Sequence, residues 1–172
     1  MSKIINIILF VIAWLLCVFL SGAGAAIALF LLCVYLFTKI DRPHELKIVI
    51  YAGLVGVLID QGLALLDVFR YYGDTHLIAL WSIAIWFWFA ATLNSALQFL
   101  QKIPLIFSAI LGAIVEPFLY LLVERLNPHL IYYPKGLKET AVILFVVWFF
   151  LLPILITIAR KISKKATSAD IN

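Results

Sequence analysis

The chain has 172 residues, 66% of them hydrophobic, with a net charge of +4 and a mean hydropathy of +1.15. That apolar share lies well above the roughly 45–50% of ordinary soluble domains, and the length leaves room for one membrane domain and no separate soluble one. Its basic residues sit in short flanks between apolar runs rather than on one face, which excludes nucleic acid as a partner and marks them as topology determinants.

In chain order, six apolar stretches approach the roughly 20 residues a helix needs to cross the hydrocarbon core. The first covers 4–20, and after the small-residue turn Ser21-Gly22-Ala23-Gly24 the second covers 25–40. Asp41-Arg42-Pro43-His44-Glu45 ends it, because Pro43 cannot continue a helix that begins before it. The third covers 46–69 and is closed by Arg70-Tyr71-Tyr72-Gly73-Asp74. The fourth covers 77–100; the fifth, 104–123, begins on Pro104, well placed in a first helical turn. A loop from Glu124 to Thr140 leads to the sixth, 141–159, and residues 160–172 form a short basic tail. Strands are disfavoured, since open sheet edges cannot sit in lipid. The expectation is an all-α membrane protein, a six-transmembrane-helix bundle forming one integral domain over 1–172.

Orientation follows from Lys and Arg. One side carries Lys3, Lys39, Arg42, Lys47, Lys102, Arg160, Lys161, Lys164 and Lys165; the other carries Arg70, Arg125, Lys135 and Lys138. Nine against four places both termini in the cytoplasm. Tyr71, Tyr72, Tyr132 and Tyr133 then fall at the outer interface, where amphipathic rings settle. Lys3, an apolar run and Ala23-Gly24-Ala25 also fit a cleavable signal peptide, but the run is long for one and a second span follows at once. A tight helical hairpin is the better reading. Small residues four apart, such as Gly24 and Ala28, Ala52 and Gly56, and Ser108 and Gly112, let helices approach closely. Cys17 and Cys33 lie inside apolar runs and read as packing residues rather than a disulfide.

Two acids interrupt the spans, and an intramembrane acid is expensive enough to ask for a reason. At about 1.5 Å per residue, Asp60 lies roughly 20 Å above the inner end of its helix and Glu116 roughly 18 Å above its own, so the two can face each other. The pair can bind a cation or relay protons. The simpler account has each acid hydrogen-bonded to Gln61, Ser108, Tyr120 or a freed carbonyl and fixing helix packing only. Pro117 follows Glu116, withholds a donor from the Ala113 carbonyl and kinks the helix beside a carboxyl.

Span four supplies a second polar set. Asn94, Gln98 and Gln101 recur at spacings that line one helical face near the cytoplasmic end. Amides there serve as interhelical glue, or alternatively line a polar cavity that admits a headgroup or small solute. On the outer side Asp67, Asp74, His76, Glu124 and His129 lack the spacing of a metal site. No phosphate-binding loop, paired-histidine helix, nucleophile elbow or dinucleotide fingerprint occurs, so neither a cofactor nor a metal is expected.

The run Gly56-Val-Leu-Ile-Asp60 resembles the bacterial membrane protein family called domain of unknown function 2878. So do Leu80-Trp81, Trp86, Phe89 and Ala91-Thr92-Leu93-Asn94-Ser95 in span four, and Pro117 with Tyr120 in span five. The resemblance implies a small bacterial inner-membrane protein with no established activity, and a lipid-related accessory role. In that family a small residue usually precedes the span-five proline, so Glu116 departs from the pattern and Asp60 and Asn94 are the positions the resemblance favours. The candidate intramembrane polar site is therefore Asp60, Glu116, Asn94, Gln98, Gln61, Pro117 and Tyr120. Three function classes follow in order: an accessory protein binding membrane lipids or other membrane proteins, a small transporter or proton-coupled carrier using Asp60 with or without Glu116, and, least supported, a lipid-modifying enzyme.

Overall fold

The computed structural model describes residues 3–39, 42–71 and 76–169. Asp41, Tyr72, Gly73 and Asp74, and the side chains of Arg42 and Lys165, lie outside the described residues. Five α-helices and one 3₁₀ turn occur among those described: α1 (Lys3–Phe37), α2 (Arg42–Leu65), α3 (Leu80–Thr92), the 3₁₀ turn (Gln98–Gln101), α4 (Leu105–Leu126) and α5 (Leu137–Ala169). Four of them, all but α3, are long and apolar enough to cross a membrane.

The expected count of six separate helices is corrected at the start of this order. The first two expected spans form the single element α1, because only Ser21 leaves helical geometry (φ 50°, ψ −122°) and no residues are given to a loop. That one residue nevertheless reverses the chain. Asn6 Nδ2 donates to the Tyr35 hydroxyl at 2.8 Å, whereas 29 residues of straight helix would hold these groups about 43 Å apart. A Cβ at Gly24 would collide with the Leu16 carbonyl, so the two arms touch backbone to backbone beside the turn.

Span four is shorter than expected. Instead of covering 77–100, α3 stops at Thr92 after 13 residues, about 20 Å of rise. Polar side chains then take over the backbone. Thr92 Oγ1 donates to the Phe89 carbonyl at 2.6 Å, and Gln101 Nε2 donates to the Leu93 carbonyl at 2.8 Å, so a freed acceptor is satisfied without a helix. No helix runs into Pro43 from before it, as expected: α1 stops at Phe37, and Pro43 serves the next helix instead. It opens the helix from its first turn, where its missing N–H costs nothing, and the helix shifts to Arg42–Leu65. The expected basic tail is helical through Ala169, as an extension of α5.

Two connections at the same end of the bundle pair as short strands, β1 (Arg70–Tyr71) and β2 (Ile131–Tyr132), antiparallel with Arg70 opposite Tyr132 and Tyr71 opposite Ile131. Alternation along the pair sends Tyr71 and Ile131 inward and leaves Tyr132 60% exposed. Of the tyrosines expected at the outer interface, Tyr71 and Tyr133 are therefore buried instead. Their phenols still need partners, and the bundle supplies them.

Cross-links between helices are polar and specific. Asn6, fully buried, also donates to the Ala91 carbonyl at 3.4 Å and accepts from Ala96 N at 3.2 Å, tying both arms of α1 to the end of α3. Trp88 Nε1 donates to the Ala28 carbonyl at 2.7 Å, and Asn127 Nδ2 to the Val18 carbonyl at 2.9 Å. Large apolar side chains such as Phe30, Leu58, Phe118 and Phe150 stay exposed, as a lipid-facing surface requires. Cys17 is buried and Cys33 exposed, and neither is bridged.

Close approach of α3 to α2 depends on Gly56, whose Cα lies against the Trp86 ring; a Cβ there would overlap it. The ring cannot retreat, since it is buried and stacked on Trp148 at 5.3 Å and 6°. Gly56→Ala should therefore destabilise the protein in detergent by about 1–3 kcal/mol. Gly62, in the same helix with open space at its Cβ position, should tolerate Ala or gain about 0.5–1 kcal/mol. Thermal unfolding of the two variants checks the packing, and a Gly56→Ala protein as stable as Gly62→Ala would refute it.

Candidate functional site

Asp60 sits late in α2, on the wall of a cavity of about 50 Å³ lined by all five helices and by Tyr71 and Ile131 of the β1–β2 pair. Its side chain is buried and takes hydrogen bonds from three elements. Tyr120 of α4 donates to Oδ1 at 2.5 Å, Ser82 of α3 to Oδ2 at 2.9 Å, and the Tyr71 hydroxyl of β1 lies 3.3 Å from Oδ2 and from Ser82 Oγ. Hydroxyls that point their protons at a carboxyl use its oxygens as acceptors, so the negative end of each O–H dipole turns away and the acid is fixed in one orientation.

Each hydroxyl is itself positioned. Tyr133 donates to the Tyr120 carbonyl at 2.6 Å, which anchors the loop after α4 onto the turn that carries Tyr120. Tyr120 also packs on Phe69 at 5.7 Å and Trp148 at 6.5 Å, and Tyr71 meets Trp81 edge-on at 5.7 Å. Burial raises the Tyr71 and Tyr133 phenols above their ordinary range, which keeps both as donors.

Glu116 lines the same cavity from α4, half-buried, and makes no hydrogen bond among the described residues. Trp81 lines it too, with an indole N–H that is buried and has no partner. Trp86, Trp148 and Phe89 form the apolar wall, mutually packed at 5.3–5.9 Å. The cavity thus combines one fixed carboxyl, one carboxyl without partners and several aromatic faces. Its volume suits a few water molecules or a single small charged group, well below the roughly 300–1,000 Å³ of drug-sized pockets.

The other candidate residues separate. Gln61 points away from Asp60: its Nε2 donates to the His76 carbonyl at 2.7 Å and its Oε1 accepts from Ile78 N at 3.0 Å, pinning the entry to α3. Ser108 donates within its own helix to Leu105. Pro117 is buried inside α4. Asn94 lies at the opposite end of α3, donating to Glu45 Oε1 at 3.0 Å and accepting from Ser163 Oγ at 3.1 Å, while Gln98 lines a different cavity. Asn94 and Gln98 thus form no single site with Asp60.

Tyr71, Ser82, Trp81 and Asn6 escaped the sequence reading. Tyr71 was assigned to the interface by composition, and its inward turn comes from pairing with Ile131. Ser82 carries no sequence signal for this site, because one hydroxyl in an apolar run does not say which neighbour it faces. Near the β1–β2 end, Asp67 gathers Arg70 at 2.7 Å and His76 at 2.9 Å, and these two hold its carboxyl below the usual range. No three His, Cys, Asp or Glu side chains converge as a metal site among the described residues.

Removing the Tyr120 hydroxyl leaves Asp60 Oδ1 without its closest donor. Tyr120→Phe should cost about 1–3 kcal/mol, the penalty for a buried acceptor left unmatched. Tyr132→Phe, on an exposed ring, should stay within about 0.5 kcal/mol. Equal melting temperatures for the two variants would mean that water replaces the hydroxyl at no cost.

Residues 3–154 match the family model described as protein of unknown function (DUF2878), and the chain belongs to that family. No curated protein and no solved structure matches it.

Proposed function

We propose that this DUF2878 member is a multi-pass protein of the bacterial inner membrane that binds a small cationic group at Asp60 and serves as a lipid- or partner-binding accessory. The bilayer is crossed six times, with the two arms of α1 counted separately, α3 completed by the turns after Thr92, and both termini in the cytoplasm. The charge bias along the sequence supports that orientation, since Lys102, Arg160 and Lys161 lie at the same end as Lys3, and Arg70, Arg125 and Lys135 at the other.

One observation carries the ligand class: the Asp60 carboxyl, held by three hydroxyls, faces a cavity walled by Trp86, Trp148, Phe89 and Tyr120. Aromatic faces attract cations through the ring quadrupole, and a desolvated carboxylate adds a counter-charge. A protonated amine or ammonium group, from a lipid or a membrane partner, satisfies both and fits the volume. An anion meets the opposite field.

The second reading is a proton-coupled carrier. Glu116, without a hydrogen-bond partner among the described residues and next to Pro117 inside α4, supports it as a second carboxyl. Binding without flux favours the accessory.

Methylammonium titrated into the purified full-length protein should change tryptophan fluorescence saturably, and Asp60→Asn should weaken that response about tenfold or more. A wild type that does not respond, or a variant that responds equally, removes the cation site. Uptake of methylammonium into proteoliposomes under a pH gradient would favour the carrier. Topology is checked separately with single cysteines in sealed spheroplasts. Lys3→Cys and Ser163→Cys should resist an impermeant maleimide while Lys135→Cys reacts, and the reverse pattern overturns the orientation.

A further inference from the structure

A second cavity, of about 270 Å³, opens at the end of the bundle that carries the 3₁₀ turn and the last turns of α5. Among the described residues its lining is Gln98, Gln101, Lys102, Arg160, Ser163 and Lys164, three cations and three neutral hydrogen-bonding groups with no carboxylate. Such a lining is complementary to an anion.

Arg160 is the organising residue. Its Nη2 donates to the Leu100 carbonyl at 3.1 Å and to the Ile103 carbonyl at 2.5 Å, two acceptors left open where the chain turns between the 3₁₀ segment and α4. Those bonds fix the guanidinium plane. Its Nε–H is buried and has no acceptor, and among the described residues neither Arg160 nor Lys102 makes an ion pair. A buried donor on a fixed cation, left unmatched, costs free energy that a bound oxyanion would return. Guanidinium forks match the oxygens of phosphate in particular.

The acid closest in the network is already engaged. Glu45 faces Lys39 at 3.5 Å and takes the Asn94 amide at 3.0 Å, and Asn94 in turn accepts from Ser163 and from Gln101. These bonds hold Gln101 and Ser163 at the rim. Arg160 directly follows the apolar stretch of α5, so the cavity lies at the depth where lipid phosphates sit.

We propose that this cavity is a phosphate-binding site, with Arg160 and Lys102 holding the charge and Gln98, Gln101 and Ser163 supplying neutral contacts. Its occupant carries a phosphate group, presented by an anionic lipid headgroup or free in solution. The site is separate from the Asp60 cavity and stands whether or not that cavity binds a cation.

The test uses the full-length protein in detergent micelles, with dioleoyl phosphatidylglycerol, dioleoyl phosphatidylcholine and inorganic phosphate as probes, read by native mass spectrometry and thermal unfolding. Phosphatidylglycerol should bind in preference to phosphatidylcholine, and Arg160→Gln and Lys102→Gln should each weaken it about fivefold, the share of one basic residue at an anionic surface. Lys138→Gln, at the other end of the bundle, should change nothing. Stabilisation by inorganic phosphate that both cavity variants lose, without a phosphatidylglycerol preference, would assign the site to a free phosphate. Should Arg160→Gln fail to fold, Lys102→Gln carries the comparison alone. No preference and no stabilisation, or binding unchanged in the variants that fold, overturns the proposal.

Discussion

Hydrocarbon gives a polar side chain nothing to bond to, so each polar group inside this bundle must find its partner on another segment of the chain. The structure is organised by that requirement. Asn6 meets Tyr35, Ala91 and Ala96; Trp88 meets Ala28; Asn127 meets Val18; Arg160 meets Leu100 and Ile103. Each bond is worth only about a kcal/mol or less against an alternative pairing in the membrane. Their value lies in selection: apolar faces slide past one another at little cost, whereas an amide has few positions where its protons and oxygen are all matched.

Close packing depends on the same contacts. Gly56 admits Trp86, Gly112 lies against Leu152 and the Trp148 carbonyl, and Gly24 lies against Leu16. The stacked pair Trp86 and Trp148 joins α3 to α5, and the aromatic block built around it walls the Asp60 cavity. The acid in turn gathers Tyr120, Ser82 and Tyr71 from three elements. One carboxyl therefore links α2, α3, α4 and β1. Toward the other end of the bundle the free charge is positive, on Arg160 and Lys102. An acidic cavity lies toward the β1–β2 end and a basic one at the opposite end.

Much of the fold is legible as hydropathy. The expected spans 46–69, 104–123 and 141–159 overlap α2, α4 and α5, with α2 shifted by four residues and α5 running ten residues further, since burial in lipid rewards every apolar residue alike. The hairpin in α1 was also visible, as a cluster of small residues without a loop. What hydropathy misjudged was span four. Its apolar content continues past Thr92, but Thr92 and Gln101 bond the backbone and stop the helix there. Tyr71 was misplaced for a related reason: composition places a tyrosine at an interface, while strand pairing decides which way it faces.

Residue order alone yields an all-α chain with helices long and apolar enough to cross a membrane, and the small residues that let helices meet. These follow from length, hydropathy and rise per residue, which are local properties. Tertiary structure alone decided that Tyr71, Ser82 and Tyr120 converge on Asp60 while Gln61, its neighbour in sequence, turns to His76 and Ile78. It also decided that Asn94 and Gln98 belong to the other end of the bundle. The physical reason is rotation. Depth along a helix can be counted from its ends, but which side of it faces which neighbour is set by hydrogen bonds and ring packing between segments far apart in sequence.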